Sequence, residues 1–124
     1  LNWCHDDQPH LMRTRGGAPL WSVPYPQELN DIPMIMARQM DARDFADMVI
    51  DNFDEMLSQS SAQPLVMGLA LHPYIIGQPY RLLHLRRALS HLARARDDGK
   101  IWLCRPGEIA AHMAGLAQAR PGEF

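Results

Sequence analysis

The chain has 124 residues, 47% of them apolar and 21% charged, with a formal net charge of −2. That is enough sequence for one globular core and an ordinary composition for it, which excludes fibrous and disordered classes. Its arginines are interspersed with aspartates and glutamates and form no basic stripe, so nucleic acid is not an expected partner. No apolar run approaches the roughly 20 residues of a membrane-spanning helix.

The first residues lack the basic start and apolar centre of a signal peptide, which makes a cytoplasmic protein the default expectation. Leu1 to Cys4 reads as a short strand that begins with no leader, as if cut from a larger domain. His5 to Gly17, polar and interrupted by Pro9, reads as loop. Leu20 to Tyr25 is a second strand-like stretch, limited at its far end by Pro24 and Pro26. A short helix is expected from Met34 to Arg38 behind Asn30-Asp31-Ile32-Pro33.

From Asp41 the pattern becomes helical, with Phe45, Met48, Val49, Phe53, Met56 and Leu57 on one face. Asp41 is the expected N-cap, and Asp44 approximates a capping box. Leu65 to Leu71 is an apolar run that ends at His72-Pro73. A helix is expected from about Tyr80 to Arg96 with Leu82, Leu85, Leu89 and Leu92 as its stripe, stopped by Asp97-Asp98-Gly99. Ile101 to Cys104 reads as a last strand. Pro106 sits at an N1-like position before a final helix, Glu108 to Ala119, carrying Ile109, Met113 and Leu116. Strands alternating with helices predict parallel β-α-β units, hence an α/β fold with about half the units of a closed barrel.

The chemistry gathers at two strand ends. His72 places an imidazole where a buried strand meets a loop, the edge at which α/β folds bind ligands. Trp3-Cys-His-Asp-Asp-Gln-Pro-His10 follows the first strand, so parallel strands would bring both clusters to one edge. There Asp6 or Asp7 could orient His72, or His5 and Asp7 could bind a metal; a solvated acidic turn is the alternative reading of the pair. Trp3, Tyr25 and Tyr74 could line a pocket, while Trp21 and the methionines read as core. His84, His91 and His112 lie in helices, where packing or surface roles are the default. Cys4 and Cys104 read as buried free thiols. Phosphate loops, dinucleotide fingerprints and the nucleophile elbow are all absent from the sequence.

Four ordered segments, Trp3-Cys-His-Asp-Asp-Gln-Pro9, Val23-Pro-Tyr25 with Asn30-Asp31, Leu69-Ala-Leu-His72-Pro-Tyr74 with Gly77-Gln-Pro79, and Ile101-Trp-Leu-Cys-Arg105, resemble the carboxy-terminal part of polysaccharide deacetylase-like proteins. The subgroup containing the metal-independent allantoinases is the nearest in pattern. The resemblance extends over residues 1–124 and implies a partial (β/α) barrel, deacetylase-like, acting on non-peptide C–N bonds. It implies His72 as the acid that protonates the leaving nitrogen and Asp6-Asp7 as an acidic rim motif. Trp3, Tyr25, Asn30, Asp31 and Tyr74 are then expected near the substrate. Two departures stand out. Ala70-Leu71 precede His72 where the deacetylases carry Leu-x-His, and the family's amino-terminal aspartate and paired metal-binding histidines have no counterpart.

The expected substrate is thus a small amide, a ureide or an N-acetyl sugar. A divalent metal such as zinc belongs to the full family domain, but this sequence holds no ligand set for it. The expected partner is an amino-terminal half-domain or a second copy. The competing expectation is a non-catalytic half-barrel remnant whose open strand edges bind another chain.

Overall fold

The computed structural model describes residues 7–119. The expected strand Leu1–Cys4, with Trp3, Cys4, His5 and Asp6, lies outside the described residues. Among those residues the sheet structure is a two-stranded antiparallel hairpin, β1 (His10–Met12) and β2 (Leu20–Ser22), with Leu11 opposite Trp21. The stretch His5–Gly17 is therefore not all loop. Its turn is closed by the Gly17 amide donating to the Thr14 carbonyl at 3.2 Å, with Gly17 at φ 73°. On the far side of β2, Trp21 and Val23 are buried, which fits the core reading of Trp21.

The expected parallel pairing reduces to one bridge, between Asn30 and Ala70. It is held by Ala70 N–H donating to the Leu29 carbonyl at 2.8 Å and Asp31 N–H donating to the Ala70 carbonyl at 3.2 Å. Between these two extended segments the chain runs through a π-helical turn, Ile32–Ala37, and then helix α1, Ala42–Gln59. The arrangement is one β-α-β unit. The π turn closes with Arg38 N–H on the Pro33 carbonyl at 3.0 Å and Met40 N–H on the Met34 carbonyl at 2.9 Å, leaving Gln39 at φ 55° between them. Asp41 caps α1 as expected, its Oδ1 accepting from Arg43 N–H at 2.9 Å.

After His72 come a single turn, α2 (Pro73–Ile76), and the long α3 (Pro79–Asp97). The core is the seam of α1 with α3, roofed by the π turn and α2: Phe45 and Val49 meet Leu85 and Ala88, with Met34, Ile75 and Ile76 above them. Full burial of a side chain such as Phe45 is worth about 1.5–3 kcal/mol. The stripe expected on α3 needs one correction. Leu85 is buried as expected, but Leu89 is exposed and Ala88 and Ala95 are buried instead, small side chains that let the two helices approach closely. Arg87 to Asp47 and His91 to Asp54 run along the outer edge of that seam, where partly exposed pairs contribute about 1 kcal/mol or less.

The expected strand Ile101–Cys104 is irregular. A strand needs a neighbour for its ladder. Among the described residues none lies alongside, and Trp102 and Leu103 are exposed at 58% and 63%. Helix α4 (Pro106–Ala119) packs on β2 through a half-buried stripe that includes Ile109 and Met113. Its start is a capping arrangement in which Glu108 Oε2 accepts from Arg105 N–H at 2.7 Å. Among the described residues no helix is long and apolar enough to cross a membrane.

Candidate functional site

Proline sets the backbone at His72. A residue before proline is pushed to extended geometry, and His72 has φ −118° and ψ 116°, while Pro73 opens α2 at a position where no amide hydrogen is needed. The His72 carbonyl accepts from Ile75 and Ile76 N–H at 2.9 and 3.1 Å, so the histidine is the N-cap of α2 as well as the end of the segment pinned at Ala70. The alignment of Asn30 with Ala70 then brings Asp31 opposite Leu71, one residue short of His72, within reach of its side chain.

Asp31 is completely buried and holds the histidine at two points. Its Oδ2 accepts from the His72 backbone N–H at 2.8 Å, and its Oδ1 lies 2.7 Å from Nδ1. A carboxylate oxygen accepts, so the ring hydrogen is assigned to Nδ1. That leaves Nε2 with no partner among the described residues, on a side chain 32% exposed. The edge of the ring is free on the open side and gripped on the buried side.

The Tyr74 ring meets His72 edge-on, with centroids 5.8 Å apart, and is itself exposed. Asn30 Nδ2 donates to the Tyr25 hydroxyl at 3.4 Å, while Asn30 Oδ1 accepts from Ile32 N–H at 3.0 Å. His72, Asp31 and Tyr74 thus form one contacting group, and the Asn30–Tyr25 pair adjoins it in sequence through the Asn30–Asp31 peptide.

Asp7 is placed elsewhere. Its carbonyl accepts from Val66 N–H at 2.8 Å, at the start of the segment whose far end carries His72, a reach of up to about 20 Å along six residues. It lines a cavity of about 280 Å³ with Tyr25, Glu28 and Asn52, and His72 is not part of that lining. Among the described residues, the carboxylate on His72 is Asp31 and not Asp7. Asp6 and Trp3 lie outside the described residues.

His91 shows why a histidine-carboxylate pair alone is not a site. Its Nε2 lies 2.6 Å from Asp54 Oδ1 and its Nδ1 lies 3.3 Å from Arg94 Nη2, so both ring nitrogens are engaged at the helix seam. His112 stacks edge-on with Trp102. His72, unlike His91, keeps a ring nitrogen for a ligand. Among the described residues no three His, Cys, Asp or Glu side chains are grouped to hold a metal ion.

The parallel bridge and the helical connection between its two segments thus set a carboxylate-held histidine just beyond Ala70. No family model matches the chain, and no curated protein does. Among solved structures, the chain is similar to the crystal structure of PuuE allantoinase, with a TM-score of 0.80 and 26% identity over 98% of this chain. That match takes in 38% of the allantoinase chain, so these residues span about two-fifths of its length. The likeness supports the deacetylase-like superfamily and a C–N hydrolase fold.

Proposed function

We propose that this chain supplies the leaving-group side of the active site of a hydrolase acting on non-peptide C–N bonds, with a small amide, cyclic ureide or N-acetyl sugar as substrate. The observation that carries the reading is the Asp31–His72 pair, in which Nδ1 is held and Nε2 faces outward. The likeness to an allantoinase favours a ureide within that class.

In this reading water adds to the carbonyl carbon of the scissile C–N bond. Nε2–H of the His72 imidazolium then donates its proton to the departing nitrogen as the bond breaks, and the neutral ring regains a proton from solvent. Asp31 stabilises the charged ring and keeps its orientation, the role a buried carboxylate plays behind a catalytic histidine. Tyr74 and the Tyr25–Asn30 pair border the substrate. The group that activates the water belongs to the part of the barrel for which these residues have no counterpart. Asp7, in a cavity that His72 does not line, is assigned to substrate contact or rim structure, with Asp6 and Trp3 beside it in sequence.

The test is an assay of the natural polypeptide or complex containing this chain against a cyclic ureide, an N-acetylated sugar and a simple amide, with native mass spectrometry to define which chains and metals are present. Hydrolysis of one of the three, abolished by substitution at His72, is the expected result. No hydrolysis of any of them by an intact, folded particle overturns the assignment.

A further inference from the structure

A second cavity, of about 520 Å³, opens where the start of α3 faces the turn between the π-helical segment and α1. It is lined by Gln39, Asp41, Tyr80, Arg81 and His84 over a floor that includes the buried Ile35. Its size is that of a small-molecule site. It shares no lining residue with the His72 group and stands independently of the hydrolase reading.

The polar groups around it are largely unspent. Arg81 and His84 lie three residues apart on α3, hence on one face, and both are half-buried. Arg81 commits Nη1 to the Ile75 carbonyl at 3.1 Å and its guanidinium lies 5.1 Å from the Tyr80 ring centroid. The Nε–Nη2 edge, the side that takes a carboxylate with two parallel hydrogen bonds, keeps no partner among the described residues. The same is true of the His84 imidazole and the Gln39 side-chain amide. On the opposite rim Asp41 accepts from Arg43 N–H with Oδ1 and keeps Oδ2 as an acceptor.

A guanidinium and an imidazole on one side and a carboxylate acceptor on the other match a ligand that is anionic at one end and presents an N–H at the other. We propose that this cavity binds a small organic carboxylate bearing an amide or amine N–H, its carboxylate on Arg81 and His84 and its N–H directed to Asp41. Gln39 contributes its amide from a left-handed backbone position at the cavity edge.

The experiment is an NMR titration of the protein with N-acetylglycine, and with N-acetylglycinamide as the uncharged counterpart, followed on the backbone amides of Gln39, Met40 and Ala42. The acid is expected to give saturable shifts. The amide, and the Arg81→Gln and His84→Asn variants with the acid, are expected to bind about tenfold or more weakly, the loss typical of a charged hydrogen bond. Absence of saturable shifts, equal binding of acid and amide, or unchanged affinity in both variants overturns the proposal. If Arg81→Gln fails to fold through loss of its bond to Ile75, His84→Asn decides alone, since His84 makes no hydrogen bond among the described residues, and wild-type affinity there overturns the site.

Discussion

Asp31 and His72, 41 residues apart in sequence, are joined twice, through Oδ2 to the backbone N–H at 2.8 Å and through Oδ1 to ring Nδ1 at 2.7 Å. One buried carboxylate therefore sets both the position of the histidine's main chain and the direction of its ring. Asparagine in its place has one acceptor oxygen for two donors, and its amide would face an N–H. Asp31→Asn is expected to lower stability by about 1–3 kcal/mol, the cost of a buried donor left unsatisfied. Urea unfolding checks this; a change within about 0.5 kcal/mol, typical of an ordinary surface substitution, would mean the pair does not form in solution.

Gly68 lies where the apolar segment passes Pro24 and Pro26. A Cβ there would sit 2.6 Å from Pro26 Cδ and 3.4 Å from the Pro24 carbonyl oxygen, against a ring and a backbone that cannot swing aside. Gly68→Ala is expected to cost about 1–3 kcal/mol as an overpacking change. Gly115, in the middle of α4 with open space around it, should respond in the opposite direction, gaining about 0.5–1 kcal/mol as alanine. Thermal unfolding of the two variants side by side tests the sign as well as the size.

Gln39 occupies the left-handed region at φ 55°, directly after the π-helical turn, where a glycine is the usual terminator. A side chain there carries a penalty of about 1–2 kcal/mol, partly offset in a glycine variant by the greater freedom of the unfolded chain. Gln39→Gly should therefore raise the unfolding midpoint modestly or leave it unchanged. A clear loss of stability would show that the Gln39 side chain makes contacts the fold depends on.

Cys104 is a free thiol whose pKa is raised from its ordinary value, first by burial and then by the Glu108 carboxylate. Both effects disfavour the thiolate, which is the species that reacts with alkylating agents. In a Cys4→Ser background, Cys104 should react with iodoacetamide more slowly than free cysteine at mildly alkaline pH and accelerate as pH rises further. Glu108→Gln should speed the reaction by removing the negative charge while keeping an acceptor for Arg105 N–H. Alkylation at the rate of free cysteine would contradict the placement of this thiol.

The helices were legible in the sequence because their signals are local: Asp41 as a cap, Phe45-Val49-Phe53 as a period, Gly99 as a stop, Pro106 as a start. Strands depend on what lies beside them, and there the sequence misled in both directions. His10–Met12 reads as polar loop yet pairs with Leu20–Ser22, whereas Ile101–Cys104 has strand composition and no neighbouring strand among the described residues. His72 stood out as an imidazole at the end of an apolar run. Its carboxylate did not, because Asp31 reads locally as a turn residue beside Asn30, and only the parallel alignment of Asn30 with Ala70 brings it to the ring. Asp7 stands in an acidic motif, but sequence order says nothing of which end of the next segment its loop returns to.

The decisive comparison is turnover by His72→Asn against the natural residue, in the natural polypeptide or complex and on whichever C–N substrate it hydrolyses. Asparagine can still donate to Asp31 Oδ1, so the buried carboxylate keeps a partner, but it has no counterpart of Nε2. If His72 protonates the leaving nitrogen, kcat should fall by about 10²- to 10⁴-fold in a variant that remains folded. Near-normal kcat in that folded variant would contradict the assignment of His72 as the acid.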